Sequence, residues 1–315
     1  MQDSDFVERV RVVSGHLAKV PRRVRLVEVG PRDGLQNESV VLPTGVKARY
    51  ISLLSEAGFS EIEITSFVSP KRVPALADAE ALCGQLRFSS GVRYTGLVPN
   101  RRGLERALAA GVRSVAVLAA ASETFSQRNI GMGVKEALEE IRAVCREAQQ
   151  EGVRVRGYVS TAFYCPYEGR ISPLQVRSVV EALLEIGVAE VSLADTIGHA
   201  VPTDVVELLE VLAPILPWER VALHFHDTWG LALANVLTGL ELGIATFDAA
   251  SGGAGGCPFA PGAAGNVATE DLLVLLRGMG VETGVVLEKV VEASRYLESH
   301  LGKLLPGRYL RAIGS

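Results

Sequence analysis

The strongest constraint on this chain is its rhythm. Short apolar or β-branched runs alternate with longer amphipathic stretches along nearly its whole length. The strand-like runs cover residues 24–29, 61–65, 94–98, 114–118, 153–160, 190–194, 221–225 and 244–249. Between them lie helix-like segments. In 46–57, the apolar positions Val46, Tyr50, Leu53, Leu54 and Ala57 recur at helical spacing, and Gly58 supplies a stop. Gly111, Gly152, Gly187 and Gly243 each close a helix-like stretch just before a strand, where glycine suits a helix C-cap. The runs 24–29 and 114–118 are almost wholly apolar, as strands of a parallel sheet are. Alternation of this kind implies parallel strands joined by right-handed crossovers. Eight repeats in 315 residues predict an α/β fold, a single (β/α)8 TIM barrel spanning 1–315 with its core at about 24–285. An open doubly wound sheet is the alternative. Residues 1–23 are expected to form an N-terminal helical extension, and those after about 284 a helical C-terminal cap.

Bulk composition narrows the function. Net charge is −4 and the basic residues are scattered, so nothing favours nucleic acid or an anionic membrane. No apolar run approaches the ~20 residues that span a bilayer. The first residues carry Asp3, Asp5 and Glu8, unlike a secretory or transit leader. The terminal Ala-Ile-Gly-Ser is no receptor-read address. Four cysteines stand far apart without a CxxC pair, which argues against a disulfide framework and for a reducing cytoplasm.

The chemically unusual residues fall at the C-terminal ends of strands, where such barrels place their sites. The end of the seventh run reads Leu223-His224-Phe225-His226-Asp227. Strand side chains two apart share a face, so His224 and His226 present two imidazoles together. Arg32 and Asp33 follow the first run, inside Gly30-Pro31-Arg32-Asp33-Gly34. Glu63 lies between Ile62 and Ile64. If those two face the helices, Glu63 faces the barrel interior and needs a cation, for which Arg32 is the obvious candidate. Asp195 follows the sixth run. Asn266 lies beyond the eighth, after a glycine-rich loop, 252–256, that leads into Cys257. Asp33, His224, His226 and Asn266 together offer two oxygens and two nitrogens. That donor set, without thiolate, suits Mg2+ or Mn2+, with Co2+ or Zn2+ as alternatives. The glycine loop resembles part of a dinucleotide fingerprint but stands after the last strand rather than the first, so a flexible loop carrying a thiol is the better expectation.

These motifs carry a resemblance. Val-Glu-Val-Gly-Pro-Arg-Asp-Gly-Leu-Gln-Asn-Glu (27–38), Thr-Ser-Phe-Val-Ser-Pro-Lys (65–71), Cys-Pro-Tyr-Glu-Gly (165–169), His-Phe-His-Asp-Thr (224–228) and Gly-Gly-Cys-Pro-Phe-Ala-Pro-Gly-Ala-Ala-Gly-Asn (255–266) are similar to motifs of the 3-hydroxy-3-methylglutaryl-CoA lyase family. That family lies within the metal-dependent lyase and Claisen-synthase barrels. The match covers roughly residues 24–285. It implies an acyl-CoA substrate, a Mg2+ or Mn2+ cofactor, a homodimer, and cleavage to acetyl-CoA and acetoacetate. It also implies roles. Asp33 or His224 would take the substrate's hydroxyl proton. Arg32, held by Glu63, would stabilise the enolate, and Cys257 or His224 would protonate it. A Claisen synthase acting on a 2-oxo acid and a non-catalytic metal-binding barrel are the rival expectations.

Overall fold

The eight runs become eight parallel strands of one closed sheet. The computed structural model describes residues 19–256 and 265–314. The strands are β1 (Arg25–Glu28), β2 (Glu61–Ser66), β3 (Arg93–Leu97), β4 (Ser114–Ala120), β5 (Arg154–Ser160), β6 (Glu190–Asp195), β7 (Val221–Phe225) and β8 (Thr246–Ala249). They pair in the order β1-β8-β7-β6-β5-β4-β3-β2 and close on themselves. The helices are α1 (Thr44–Glu56), α2 (Ala79–Gln85), α3 (Arg101–Ala109), α4 (Glu123–Ile130), α5 (Val134–Gln150), α6 (Pro173–Ile186), α7 (Pro202–Leu212), α8 (Ala232–Glu241), α9 (Thr269–Gly278), α10 (Leu287–Leu301) and α11 (Arg308–Ala312). The expected barrel is therefore the observed one.

The helix stops follow from backbone stereochemistry. Gly111, Gly152, Gly187 and Gly243 all take positive φ, between 66° and 94°, a conformation that costs glycine least. The helices present an apolar stripe inward. In α5 it is Ala137, Ile141, Val144, Cys145 and Ala148, all buried. The C-terminal helices exist as expected, with α10 packed beside α1 and α9. The expected N-terminal helical extension falls mostly on residues 1–18, outside the described residues. Residues 19–23 are not helical; Arg23 instead forms a parallel bridge with Glu282.

The interior of the barrel is polar, unlike the branched apolar layers that usually fill such barrels. Ile62, Ile64, Val115, Val117, Leu223 and Phe247 belong to the hydrophobic core. Several of the alternate positions carry charge. Arg25 bridges Glu61 and Glu190, and Arg93 adds 2.9 Å to Glu61. Above them, Arg156 donates to Glu190 (2.8 Å), Asp248 (2.6 Å) and the Tyr158 hydroxyl (2.7 Å). Tyr158 donates to Glu63 at 2.7 Å, and Glu63 accepts from Arg32 at 3.0 Å. A continuous polar column thus runs from the barrel floor to its mouth. Matching each buried charge with its opposite offsets a desolvation cost of several kcal/mol per ion, roughly.

Candidate active site

Arg32 and Asp33 reach the mouth because β1 ends in a π-turn, Gly30–Gly34. The amides of Arg32, Asp33 and Gly34 all donate to the Val29 carbonyl, at 3.1, 2.8 and 3.2 Å. Single π-turns of this kind recur at functional sites. Gly30 is required by close approach: a Cβ there would stand 2.4 Å from the Tyr50 hydroxyl. In β2 the register with β3 shifts between Glu63 and Thr65, an irregularity that can re-aim side chains beside a site.

The histidines come from β7. His224 lies within it and His226 follows its last residue. A returning segment then lies against the strand end. Val267 N–H donates to the Phe225 carbonyl at 3.0 Å, and His226 and Asn266 form an antiparallel bridge. That bridge, 40 residues apart in sequence, sets Asn266 beside the cluster.

The Nε2 atoms of His224 and His226 lie 3.9 and 3.6 Å from Asp33 Oδ2. One ligand atom from each of the three residues falls within 4.8 Å of the others, and all three residues are buried. Two donors on one first-row divalent ion at about 2.1 Å each can stand at most about 4.2 Å apart. The measured separations to Asp33 lie inside that limit. Burial would raise the Asp33 carboxyl, but Arg32 and the two imidazoles hold it well below the ordinary range, so it is ionised. Burial lowers His226, with Asp33 opposing, which favours the neutral ring that a cation needs. Asn266 takes a different posture from a simple ligand. Its Nδ2 donates to Asp33 Oδ2 (2.9 Å) and to the Ala254 carbonyl (3.1 Å). Its Oδ1 remains for another partner.

Buried polar atoms normally find partners. Among the described residues, Arg32 Nε, Glu63 Oε1, His226 Nδ1 and Asn266 Oδ1 are buried without one. Four such atoms in a single cluster, together with the convergent donors, fit a guest cation and an oxygen-rich ligand. Arg32 is the buried cation of the site. It pairs with Asp33 and with Glu63, and its guanidinium carbon lies 5.4 Å from the centre of the Tyr158 ring. Burial alone would lower it, yet the two carboxylates raise it, so it stays charged. The cluster opens into a cavity of about 840 Å³ whose wall includes Arg32, Asp33, Tyr158, His224, His226 and Gly256.

One residue set against the cluster escaped the sequence. Asp248 Oδ2 lies 3.2 Å from His224 Nδ1. Burial would raise this carboxyl, but Arg156 and His224 hold it well below the usual range. An ionised carboxylate can only accept, so Nδ1 carries the proton and Nε2 is left facing Asp33. Asp248→Asn is expected to weaken divalent-cation affinity about 10–100-fold, read by calorimetric titration of metal-stripped protein. Unchanged affinity would make the contact a packing detail.

Asp195 ends β6, and its carboxylate is engaged by its own loop. It accepts the amides of His199 (3.1 Å) and Ala200 (3.0 Å), and burial pushes it up to about 7. It shapes the β6 loop. Cys257 lies outside the described residues. The residue before it, Gly256, lines the cavity, and its carbonyl accepts from Asn37 Nδ2 at 3.1 Å.

Comparison with known proteins agrees with this geometry. The HMGL-like family model matches residues 23–297. The chain is 48% identical over 295 residues to the hydroxymethylglutaryl-CoA lyase YngG of Bacillus subtilis, covering 94% of this chain and 99% of that one. It superposes with TM-score 0.92 on the crystal structure of hydroxymethylglutaryl-CoA lyase from Pseudomonas aeruginosa, at 48% identity, covering 94% and 98% of the two chains. A lyase structure from Acinetobacter baumannii, in complex with coenzyme A and 3-methylmalate, matches at TM-score 0.89 and 39% identity, covering 92% and 95%. On these similarities, the chain belongs to the HMGL-like family and, within it, to the hydroxymethylglutaryl-CoA lyases.

Proposed function

We propose that this chain cleaves 3-hydroxy-3-methylglutaryl-CoA into acetyl-CoA and acetoacetate, and that Asp33, His224 and His226 hold the divalent cation on which the reaction depends. The observation that carries the proposal is the convergence of those three donors with the Arg32–Glu63 pair at the base of one cavity. An oxygen and nitrogen donor set without thiolate favours Mg2+ or Mn2+. Asn266 Oδ1 is the fourth donor in the proposal. When bound, the cation would acidify a hydroxyl and polarise a carbonyl that chelate it.

The chain's own groups then account for the rest. Asp33 is the group proposed to accept the substrate's tertiary hydroxyl proton, since His224 has Nδ1 protonated toward Asp248 and Nε2 given to the cation. As the resulting oxyanion collapses to a ketone, the bond between the second and third acyl carbons breaks. Its electron pair passes toward the thioester, giving the enolate of acetyl-CoA. Arg32 stabilises that charge. Two of its nitrogens are held by Asp33 and Glu63, while Nε has no partner among the described residues and is free to donate. Glu63 is held in turn by Tyr158, so the guanidinium does not reorganise during the reaction. The enolate carbon finally takes a proton, and Cys257 is the proposed donor. The whole chain, 1–315, acts as one catalytic domain in this proposal. No described helix is long and apolar enough to cross a membrane. The free, buried cysteines Cys83, Cys145 and Cys165 favour a reducing cytoplasm as its compartment.

The proposal is tested by incubating purified, Mg2+-loaded protein with 3-hydroxy-3-methylglutaryl-CoA. Acetoacetate and acetyl-CoA should appear in equal amounts. No acetoacetate, with acetyl-CoA instead consumed in the presence of a 2-oxo acid, would identify a synthase. Thiol alkylation is expected to inactivate the enzyme with the label on Cys257. Burial pushes the Cys83 and Cys145 thiols up to about 11, and Cys165 is also buried. Mass spectrometry of inactivated protein with Cys257 unmodified would remove it from the chemistry.

A further inference from the structure

Arg156 of β5 stands in the middle of the barrel, below the metal cluster, and the reaction gives it no direct task. It is among the largest fully buried side chains of the described residues. Barrel interiors are usually filled by branched apolar residues, and one of these would spare the cost of desolvating a charge. The floor of the barrel does not call for it. Glu61 and Glu190 already meet Arg25 and Arg154, and Glu61 also meets Arg93. Asp248 lies outside that layer and pairs with Arg156 at 2.6 Å.

The guanidinium fork reaches three groups. Nε donates to Glu190 of β6 (2.8 Å), Nη1 to the Tyr158 hydroxyl (2.7 Å) and Nη2 to Asp248 of β8 (2.6 Å). A guanidinium only donates. That property fixes the direction of the bonds beyond it. The Tyr158 oxygen accepts from Arg156, so its single proton goes to Glu63, at 2.7 Å. Glu63 Oε2 takes that proton together with one from Arg32, at 3.0 Å. On the other side, Arg156 takes Asp248 Oδ1. Oδ2 is left for Ser192 Oγ (3.0 Å) and His224 Nδ1 (3.2 Å). Two chains of hydrogen bonds thus leave one side chain. One ends on Arg32 and the other on His224. Burial would lower the Arg156 guanidinium, but Asp248, Tyr158 and Glu190 raise it, so it stays charged.

We propose that Arg156 is a positioning residue for both halves of the centre. Its fork holds Glu63, through Tyr158, where it orients Arg32, and holds Asp248 where it orients His224. The Arg32 arm rests on the lyase reading above; the His224 arm needs only the cation.

Arg156→Lys separates positioning from charge. Lysine keeps the positive charge, so Asp248 and Glu190 keep a counter-ion. Its ammonium overlays the guanidinium carbon and stops one bond short of both arms. Mn2+ affinity of metal-stripped protein, read by calorimetry, should fall about tenfold or more, as when an outer partner of a ligand is lost. With 3-hydroxy-3-methylglutaryl-CoA at saturating Mn2+, kcat should also fall about tenfold or more while KM changes little. Asp248→Asn added to Arg156→Lys should cost little further affinity, and Tyr158→Phe little further kcat, because losses within one network do not add. Wild-type affinity and kcat in Arg156→Lys, whatever its melting temperature, would overturn the proposal and leave Arg156 a buried counter-ion. A loss confined to one of the two measurements, or full additivity in either double variant, would overturn the joint role. Should Arg156→Lys not fold, the arms decide. Tyr158→Phe should then lower kcat and Asp248→Asn the affinity, and a wild-type value in either would overturn it. If the wild type does not turn over the thioester, the lyase proposal falls, and the affinity measurements alone decide between positioning and neutralisation.

Discussion

Arg32→Gln is expected to lower kcat by about 10²–10³-fold while KM changes little. The reason is timing. The charge that Arg32 stabilises does not exist in the bound substrate and develops only as the carbon–carbon bond breaks. An interaction confined to the transition state is spent on kcat. Glutamine keeps much of the length and some donor capacity but removes the charge. It also leaves Glu63 and Asp33, both buried, without the cation that pairs them. Glu63 retains the Tyr158 hydroxyl, and Asp33 retains Gln36 and Asn266. The site should therefore persist, and circular dichroism should show the barrel intact. Steady-state kinetics decide the matter. A variant with near-normal kcat and a large rise in KM would make Arg32 a binding residue only.

His226→Ala is expected to weaken divalent-cation affinity by more than about 100-fold, beyond the cost of losing an outer partner of a ligand. At micromolar Mn2+ the variant should be inactive, and millimolar Mn2+ should restore much of the activity. His226 Nε2 is 3.6 Å from the Asp33 oxygen that anchors the cluster, and its ring is buried. Nothing else among the described residues offers an imidazole at that place; the one neighbour is His224, with ring centroids 5.2 Å apart. Activity that stays lost at saturating metal would assign His226 to the chemistry. Unchanged affinity would remove it from the metal centre.

The barrel was legible because its signals are local. An apolar run, a helical stripe and a glycine stop are each confined to a few residues, and the observed strands differ from the expected ones by a residue or two at their ends. Glu63 was legible for the same reason: Ile62 and Ile64 on either side fix its face by parity. The polar column was not legible. Parity can say that Asp248 and Arg156 point inward, but they are 92 residues apart, and only the stagger of the closed sheet brings them within 2.6 Å. The support of His224 by Asp248 comes from the register of β7 with β8, where the two residues pair directly, and that register is not written in either strand alone. Asp195 shows the converse ambiguity. A carboxylate at a strand end resembles a site residue in sequence, and here the amides of its own loop claim it. Asn266 was placed at the cluster by its motif, but its amide also has acceptors of its own in Asp33 and Ala254.

Parallel titration of binding and turnover bears most directly on the metal centre. Protein stripped by exhaustive chelation is titrated with Mn2+, with bound ion followed by electron paramagnetic resonance and acetoacetate release measured on the same samples. One ion per chain should bind, turnover should rise from zero in step with occupancy, and Asp33→Ala should lose both together. Full turnover in stripped protein with no ion bound, or an ion that binds equally well to Asp33→Ala, would contradict a metal-dependent lyase built on Asp33, His224 and His226.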